Sequence, residues 1–108
     1  MQERRKETRI PLDERCWCEG DDITLFSRVV NGSLGGAFIR TATPLRPGDQ
    51  ARLVWDSPHG EIVVARVEVI WTRERGRVEQ SGMGLRFVSF ERGVEVWESL
   101  LAEADKSR

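Results

Sequence analysis

The sequence predicts a mainly β protein in which about six short antiparallel strands close on themselves and one helix follows. Short segments rich in Val, Ile, Phe and Trp recur along the chain, turn residues separate them, and the hydrophobic period changes near the C terminus. Closure of the strands into a barrel would leave no exposed sheet edge. With 108 residues, 39% of them hydrophobic, the chain is large enough for one domain with its own core.

The N-terminal segment, residues 1–12, is polar and ends in Ile10-Pro11-Leu12, which predicts a flexible extended arm before the first strand. Within it, residues 3–9 read ERRKETR and carry more cations than carboxylates, although the whole chain has a formal net charge of -1. We therefore expect a locally basic arm, followed by a barrel and helix over residues 13–105.

Each predicted strand is a short β-prone segment bounded by turn residues. The strands are expected near residues 14–19, 23–30, 37–41, 50–56, 61–72 and 83–89. The fifth strand alternates most clearly, which predicts one buried face. That face would carry Val63, Ala65, Val67, Val69 and Trp71.

After Ser89 the apolar residues recur at spacings of three and four, which is the period of an amphipathic helix. The pattern predicts a terminal helix over about residues 91–105, with Glu91 in its first turn, where the helix dipole favours a carboxylate. This helix could cover an open end of the barrel or lie across its wall.

Two polar motifs about two dozen residues apart could together form a nucleotide-sized site. Arg5 and Arg9 lie in the arm, and the turn at residues 31–36 reads NGSLGG. Arginine binds phosphate or the O6/N7 edge of guanine in bidentate fashion. Asn31 offers an acceptor for the N1 and N2 donors of guanine and Ser33 offers a hydroxyl. Gly35 and Gly36 suit either a tight backbone turn or the close approach of a ligand.

Composition argues against several functional classes. A net charge of -1 is unlike proteins that hold long nucleic acid by neutralising phosphates. The absence of a signal peptide and of a long apolar run predicts a cytoplasmic protein without membrane insertion.

Cys16 and Cys18 are too close for an ordinary disulfide, and two Cys with one His are too few for a zinc site. His59 lies in a Pro-Gly turn without a nucleophile partner, so we expect no enzyme, cofactor or metal.

With these residues set out, the chain resembles the PilZ family, bacterial receptors for the second messenger cyclic di-GMP, over nearly its whole length. Its RKETR segment, Arg5 to Arg9, fits the family's RxxxR motif, and the NGSLGG turn fits [D/N]xSxxG. The segments VIW at 69–71 and GMGLRF at 82–87 are also similar. The resemblance implies a six-stranded antiparallel β-barrel with a C-terminal helix.

The resemblance also implies a cyclic di-GMP site and a signalling role. An arginine in the place of Arg4 is associated in the family with uptake of a stacked ligand dimer. Gly32 departs from the family's more frequent aliphatic residue, and its flexibility would loosen the presentation of the turn. The implied ligand-binding residues are Arg4, Arg5, Arg9, Asn31, Ser33, Gly35 and Gly36. The implied partners are cyclic di-GMP and an unidentified effector protein, which the arm would signal to by becoming ordered.

Each motif also has a plainer interpretation. With fifteen arginines in the chain, about two RxxxR matches are expected by chance, and Arg73 and Arg77 form a second match that is most simply two solvated loop charges. One alternative function is a PilZ-like adaptor of the pilus or motility machinery that lacks nucleotide binding. Another is a small barrel that binds single-stranded nucleic acid, which the net charge and the absence of tyrosine disfavour.

Overall fold

Six antiparallel strands form a closed barrel followed by one helix in the computed structural model, which describes residues 9–57, 59–74 and 80–106. The elements are β1 (Ile10–Glu19), β2 (Thr24–Gly32), β3 (Gly36–Arg40), β4 (Gln50–Asp56), β5 (Ile62–Arg73), β6 (Gly82–Arg92) and α1 (Val94–Lys106). The order around the barrel is β1-β2-β3-β6-β5-β4. The predicted fold, six strands in an antiparallel barrel and a terminal helix, is confirmed.

Strand β1 begins at Ile10, earlier than its predicted start near residue 14. Ile10 lies opposite Gly32 and Pro11 lies opposite Asn31, so the last residues assigned to the arm are paired with β2. Proline lacks an N–H, but β1 pairs with β4 only over Trp17–Glu19, so no second neighbour needs that donor. Residues 1–8 of the predicted arm lie outside the described residues.

The helix begins at Val94 rather than near residue 91, because β6 continues to Arg92 in register with β5. Gly93 ends the strand with a φ of 84°, a conformation that glycine adopts without steric cost. The amide groups of Val96 and Trp97 then donate to the Gly93 carbonyl. Glu91 consequently belongs to β6, where its carboxylate lies 2.8 Å from Nη2 of Arg52.

The core fills the barrel with inward side chains from all six strands and from one side of α1. On β5 the expected alternation holds from Val63 to Val69, whose inward residues are each at most 3% exposed. The chain crosses a bulge between Val69 and Trp71, where two residues of β5 lie opposite one of β6. The side-chain alternation therefore reverses, and the prediction that Trp71 faces the core is wrong, since it is 41% exposed.

Helix α1 closes one end of the barrel through Trp97, which is 2% exposed. Its ring meets Trp55 edge to face at 5.7 Å between centroids and meets Phe87 in the same way at 5.2 Å. Edge-to-face aromatic pairs add to the energy of burial alone. In the described part of the chain, no helix is long and apolar enough to cross a membrane.

Candidate functional site

The last residue of the first motif, Arg9, contacts the second motif at one end of the barrel wall. Nη1 of Arg9 donates a hydrogen bond of 3.0 Å to Oδ1 of Asn31, although 22 positions separate the residues. The contact follows from strand pairing, because Pro11 lies directly opposite Asn31 and Arg9 comes just before β1. Arg9 is exposed, so its remaining N–H donors face solvent.

The NGSLGG segment is a tight connection between β2 and β3. The Ser33 amide donates to the Gly36 carbonyl at 2.9 Å, which closes the turn. A register shift between Val29 and Asn31 precedes it, and such a bulge re-aims the side chains that follow. Asn31 is therefore half-buried on the wall, whereas Ser33 is 4% exposed.

Helix α1 packs against this turn through Trp97. Nε1 of Trp97 donates a buried hydrogen bond of 3.0 Å to the Ser33 carbonyl oxygen. A Cβ atom on Gly32 would lie 2.6 Å from the Trp97 ring and 3.3 Å from Leu12. Gly32 is buried, and its absent side chain makes room for the indole. The expected loosening of the turn stays a prediction.

The two following glycines serve the backbone. The Gly35 carbonyl accepts a hydrogen bond of 2.9 Å from the Phe87 amide. A Cβ on Gly36 would collide with the Leu85 carbonyl oxygen, because β3 and β6 approach closely there. Gly36 therefore has a backbone role, although it is the close approach of two strands, and not a tight turn, that excludes a side chain there.

Several cations share the outer wall with Arg9. Arg28 lies directly opposite Arg15 on β1 and directly opposite Arg40 on β3, which places three arginines in one row. Nε of Arg28 lies 2.7 Å from a carboxylate oxygen of Asp13. This hydrogen bond, together with the charges of Arg28 and Arg40, lowers the pKa of Asp13 and keeps the carboxylate ionised.

A stack of aromatic rings, not anticipated from the sequence, lies on the wall next to Asn31. Phe38, opposite Asn31 in the β2–β3 pairing, stacks with Trp71 at 5.2 Å between ring centroids. The Arg73 guanidinium lies 4.9 Å from the Phe38 centroid, and its Nε donates to the Gln80 carbonyl. The predicted loop position of Arg73 is therefore wrong, because it ends β5; Arg77 lies outside the described residues.

The β5 bulge turns Trp71 outward, and the alternation of residues in the sequence does not reveal a bulge.

A groove of about 950 Å³ runs over the outer wall beside the motif pair. It contains the row of Arg15, Arg28 and Arg40 together with Trp17 and Phe26, but neither Arg9 nor Asn31. The motif pair thus lies beside the groove on an open surface.

The cysteines do not contribute a reactive centre. Burial raises the pKa of the Cys16 thiol to about 12 and that of the Cys18 thiol to about 11. Both thiols are therefore protonated near neutral pH, and a thiol is a poor nucleophile and metal ligand. Across residues 9–57, 59–74 and 80–106, no group of His, Cys, Asp or Glu side chains could hold a metal ion.

The structure brings together Arg9, Asn31, Ser33, Gly35 and Gly36 of the predicted ligand-binding residues. Arg4 and Arg5 lie outside the described part of the chain. Sequence reasoning missed Phe38, Arg28 and Arg40, although the alternation of β2 and β3 could have placed them on the outer face.

Comparison with known proteins gives one family and several similar folds. A model of the PilZ domain family matches residues 3–102. The PilZ domain with c-di-GMP of YcgR from Escherichia coli is 22% identical with a TM-score of 0.76, and the match covers 97% of this chain and 94% of that one. The Bacillus subtilis inhibitor of motility MotI/DgrA is 18% identical with a TM-score of 0.77, covering 98% of this chain. E. coli YcgR in complex with c-di-GMP is 23% identical with a TM-score of 0.68, again over 98% of this chain.

The chain spans 51% of the length of MotI/DgrA and of the longer YcgR structure. At these identities the similarity establishes a common fold. No curated protein matches the chain.

Proposed function

Because the chain belongs to the PilZ domain family, we propose that it is a cyclic di-GMP receptor that signals to a separate effector protein as its N-terminal arm becomes ordered. The observation that carries the proposal is the 3.0 Å hydrogen bond between Arg9 and Asn31, which unites the two ligand motifs of the family. PilZ domains are regulatory binding domains, and we infer no catalysis. A receptor for an internal second messenger would act in the cytoplasm.

The charges and hydrogen-bonding groups support a guanine and phosphate site. Arg9 presents further donors to solvent, and one arginine can contact the O6 and N7 of guanine together. Asn31 would supply acceptor and donor groups for the base edge, with the Ser33 hydroxyl beside it. The Ser33 carbonyl is already bonded to Trp97, so the turn is held in place before a ligand arrives. A site formed in advance loses less conformational entropy on binding.

The arm would complete the site. In this proposal Arg5 contacts a phosphate or guanine opposite Arg9, and Arg4 favours a second, stacked ligand. The arm residues before Ile10 are mostly charged or polar, so in this proposal the ligand, rather than apolar packing, holds them. Binding would fix their positions, and the ordered arm would form part of the surface that the effector reads.

The test is isothermal titration of the intact chain with cyclic di-GMP, with GTP as a control ligand. Arg9→Ala should raise Kd by about ten- to a hundredfold, because a bidentate arginine contact is worth about 1–3 kcal/mol. The molar ratio at the endpoint gives the number of ligands bound per chain. A stacked dimer, as expected from Arg4, gives a ratio of two. A one-to-one endpoint would reject the stacked dimer alone.

Arg46→Ala is the matched control, since Arg46 is exposed in the β3–β4 connection and its side chain forms no ion pair within the described ranges. Arg73 is not suitable as the control, because its guanidinium lies over the Phe38 ring. Equal losses in the two variants would contradict the site. Wild-type protein that binds no cyclic di-GMP would instead indicate an adaptor that works through protein contacts alone.

A further inference from the structure

Strand β2 has an unpaired edge over its first four residues. Thr24–Ser27 pair with Glu19–Cys16 of β1 on one side. On the other side β3 pairs with β2 only from Arg28 onward, where Arg28 lies opposite Arg40. In the described part of the chain, no backbone hydrogen bond joins residues 24–27 to β3 or to the connection after it. We call Thr24–Ser27 the β2 edge.

A side-chain groove accompanies the β2 edge. The 950 Å³ groove is lined by Phe26 and Ser27 of the edge and, across the gap, by Thr41 and Ala42. Phe26 is 82% exposed. An exposed strand edge with a large apolar side chain is a liability for aggregation unless another segment covers it. An extended chain added at this edge would cover Phe26 and the unpaired backbone groups of β2.

Charges next to the β2 edge indicate which kind of extended chain could bind there. Arg28 and Arg40 lie side by side where β2 and β3 separate, and Arg15 extends the row onto β1. Like charges directly opposite one another destabilise a sheet. Asp13 pairs with Arg28, whereas Arg15 and Arg40 form no ion pair within the described ranges. The carboxylates of Glu14, next to Arg15 on β1, and of Asp56 on β4 also line the groove, whereas Arg28 and Arg40 lie next to the β2 edge.

We propose that the β2 edge binds an extended segment of a partner protein as an added strand, with an apolar side chain beside Phe26 and acidic side chains at Arg28 and Arg40. Main-chain hydrogen bonds supply affinity in this mode of recognition, and alternate side chains supply specificity. A second copy of the chain fits less well, because pairing of two such edges would bring two cationic clusters into one sheet.

The proposal goes beyond nucleotide binding, and it is tested without cyclic di-GMP. The probe is a capped peptide of about eight residues in which Val and Glu alternate along one face and Thr occupies the other face, added at up to about 1 mM to the intact isotopically labelled chain. Amide shifts and hydrogen exchange are read by NMR. We expect shifted and newly protected amides at residues 24–27. A peptide with every backbone amide N-methylated should not bind, because it lacks all main-chain donors.

Charge is tested with a second probe and a matched pair of variants. A peptide with Lys in place of Glu should bind roughly tenfold more weakly. Arg40→Glu should weaken binding of the acidic peptide by roughly three- to tenfold. Arg46→Glu, in an exposed connection, should leave the affinity within about twofold of the wild-type value.

Three results would overturn the proposal: no change at residues 24–27, equal binding of the N-methylated peptide, or equal binding of the Lys peptide. Sedimentation provides a fourth. If the chain alone forms a dimer in which these amides are already protected, the β2 edge is an interface between copies and not a docking site.

Discussion

Gly32 lies where the helix meets the proposed ligand turn, and its missing side chain has a structural purpose. A methyl group there would lie 2.6 Å from the Trp97 ring, closer than atoms in contact tolerate. Gly32→Ala should therefore lower the free energy of unfolding by about 1–3 kcal/mol, the usual cost of overpacking a core. Urea unfolding followed by tryptophan fluorescence measures the change.

Leu34→Ala is the control for Gly32→Ala, because Leu34 belongs to the same turn but is 60% exposed. Its stability should change little. In a Trp97→Leu background, Gly32→Ala should cost less, since the smaller side chain leaves room for the methyl group. An equal cost in both backgrounds would show that the indole is not the obstacle.

The buried thiols predict a loss of stability in alkali. In the unfolded chain each thiol ionises with a pKa near 9, whereas folding raises the pKa to about 12 for Cys16 and about 11 for Cys18. Above pH 9 the unfolded state therefore binds fewer protons, and stability falls as pH rises toward 11. Between pH 8 and 10 we expect the two thiols together to cost about 2–3 kcal/mol in urea unfolding.

The chain suits this alkaline experiment because it contains no tyrosine and only two lysines, the other common groups that titrate there. A Cys16→Ala/Cys18→Ala variant should lose clearly less stability over the same pH interval. If its pH profile matches that of the wild type, the alkaline loss does not come from the thiols.

Among the elements, α1 connects the end of the barrel to the proposed ligand turn. Trp97→Phe keeps an aromatic ring in the core but removes the hydrogen bond to the Ser33 carbonyl. Leaving a buried acceptor without a partner costs about 1–3 kcal/mol. We expect that loss in urea unfolding, together with faster hydrogen exchange at residues 33–36. Val94→Ala, at an exposed position on the same helix, should change neither quantity.

The strand boundaries show how pairing overrides local pattern. Ile10 and Pro11 look like part of a polar arm, yet β2 supplies partners for both. Phe90 and Arg92 extend β6 for the same reason, through Ala65 and Val64 of β5. A strand ends where its neighbour ends, and that neighbour is distant in sequence. Local composition therefore located the elements but not their ends.

At the scale of the whole molecule, ligand binding should order the arm. Hydrogen exchange across residues 3–9 should slow on addition of cyclic di-GMP, because Arg5 and Arg9 would be held by the ligand. Arg46→Ala should respond as the wild type does. Binding by titration without any change in exchange over the arm would separate the receptor function from the ordering mechanism and reject the latter.

Part of the proposed ligand site could be identified from the sequence alone. The RxxxR and NGSLGG motifs identified the family and Arg9, Asn31 and Ser33 as candidate residues. They could not show that Arg9 bonds to Asn31, because that contact depends on the β1–β2 register. They also could not show that Gly32 makes room for Trp97, since Trp97 is 65 positions away in the chain.

The amino-acid sequence by itself determined the class of fold, the number of strands, the terminal helix and the family, because hydrophobic period and short motifs are local properties. Only the tertiary structure decided the outward position of Trp71, the place of Gly32 beneath the indole, and the unpaired β2 edge. Each of these depends on a bulge, a packing contact or a strand register. Such features are set by residues far apart in the chain that meet only when the barrel closes.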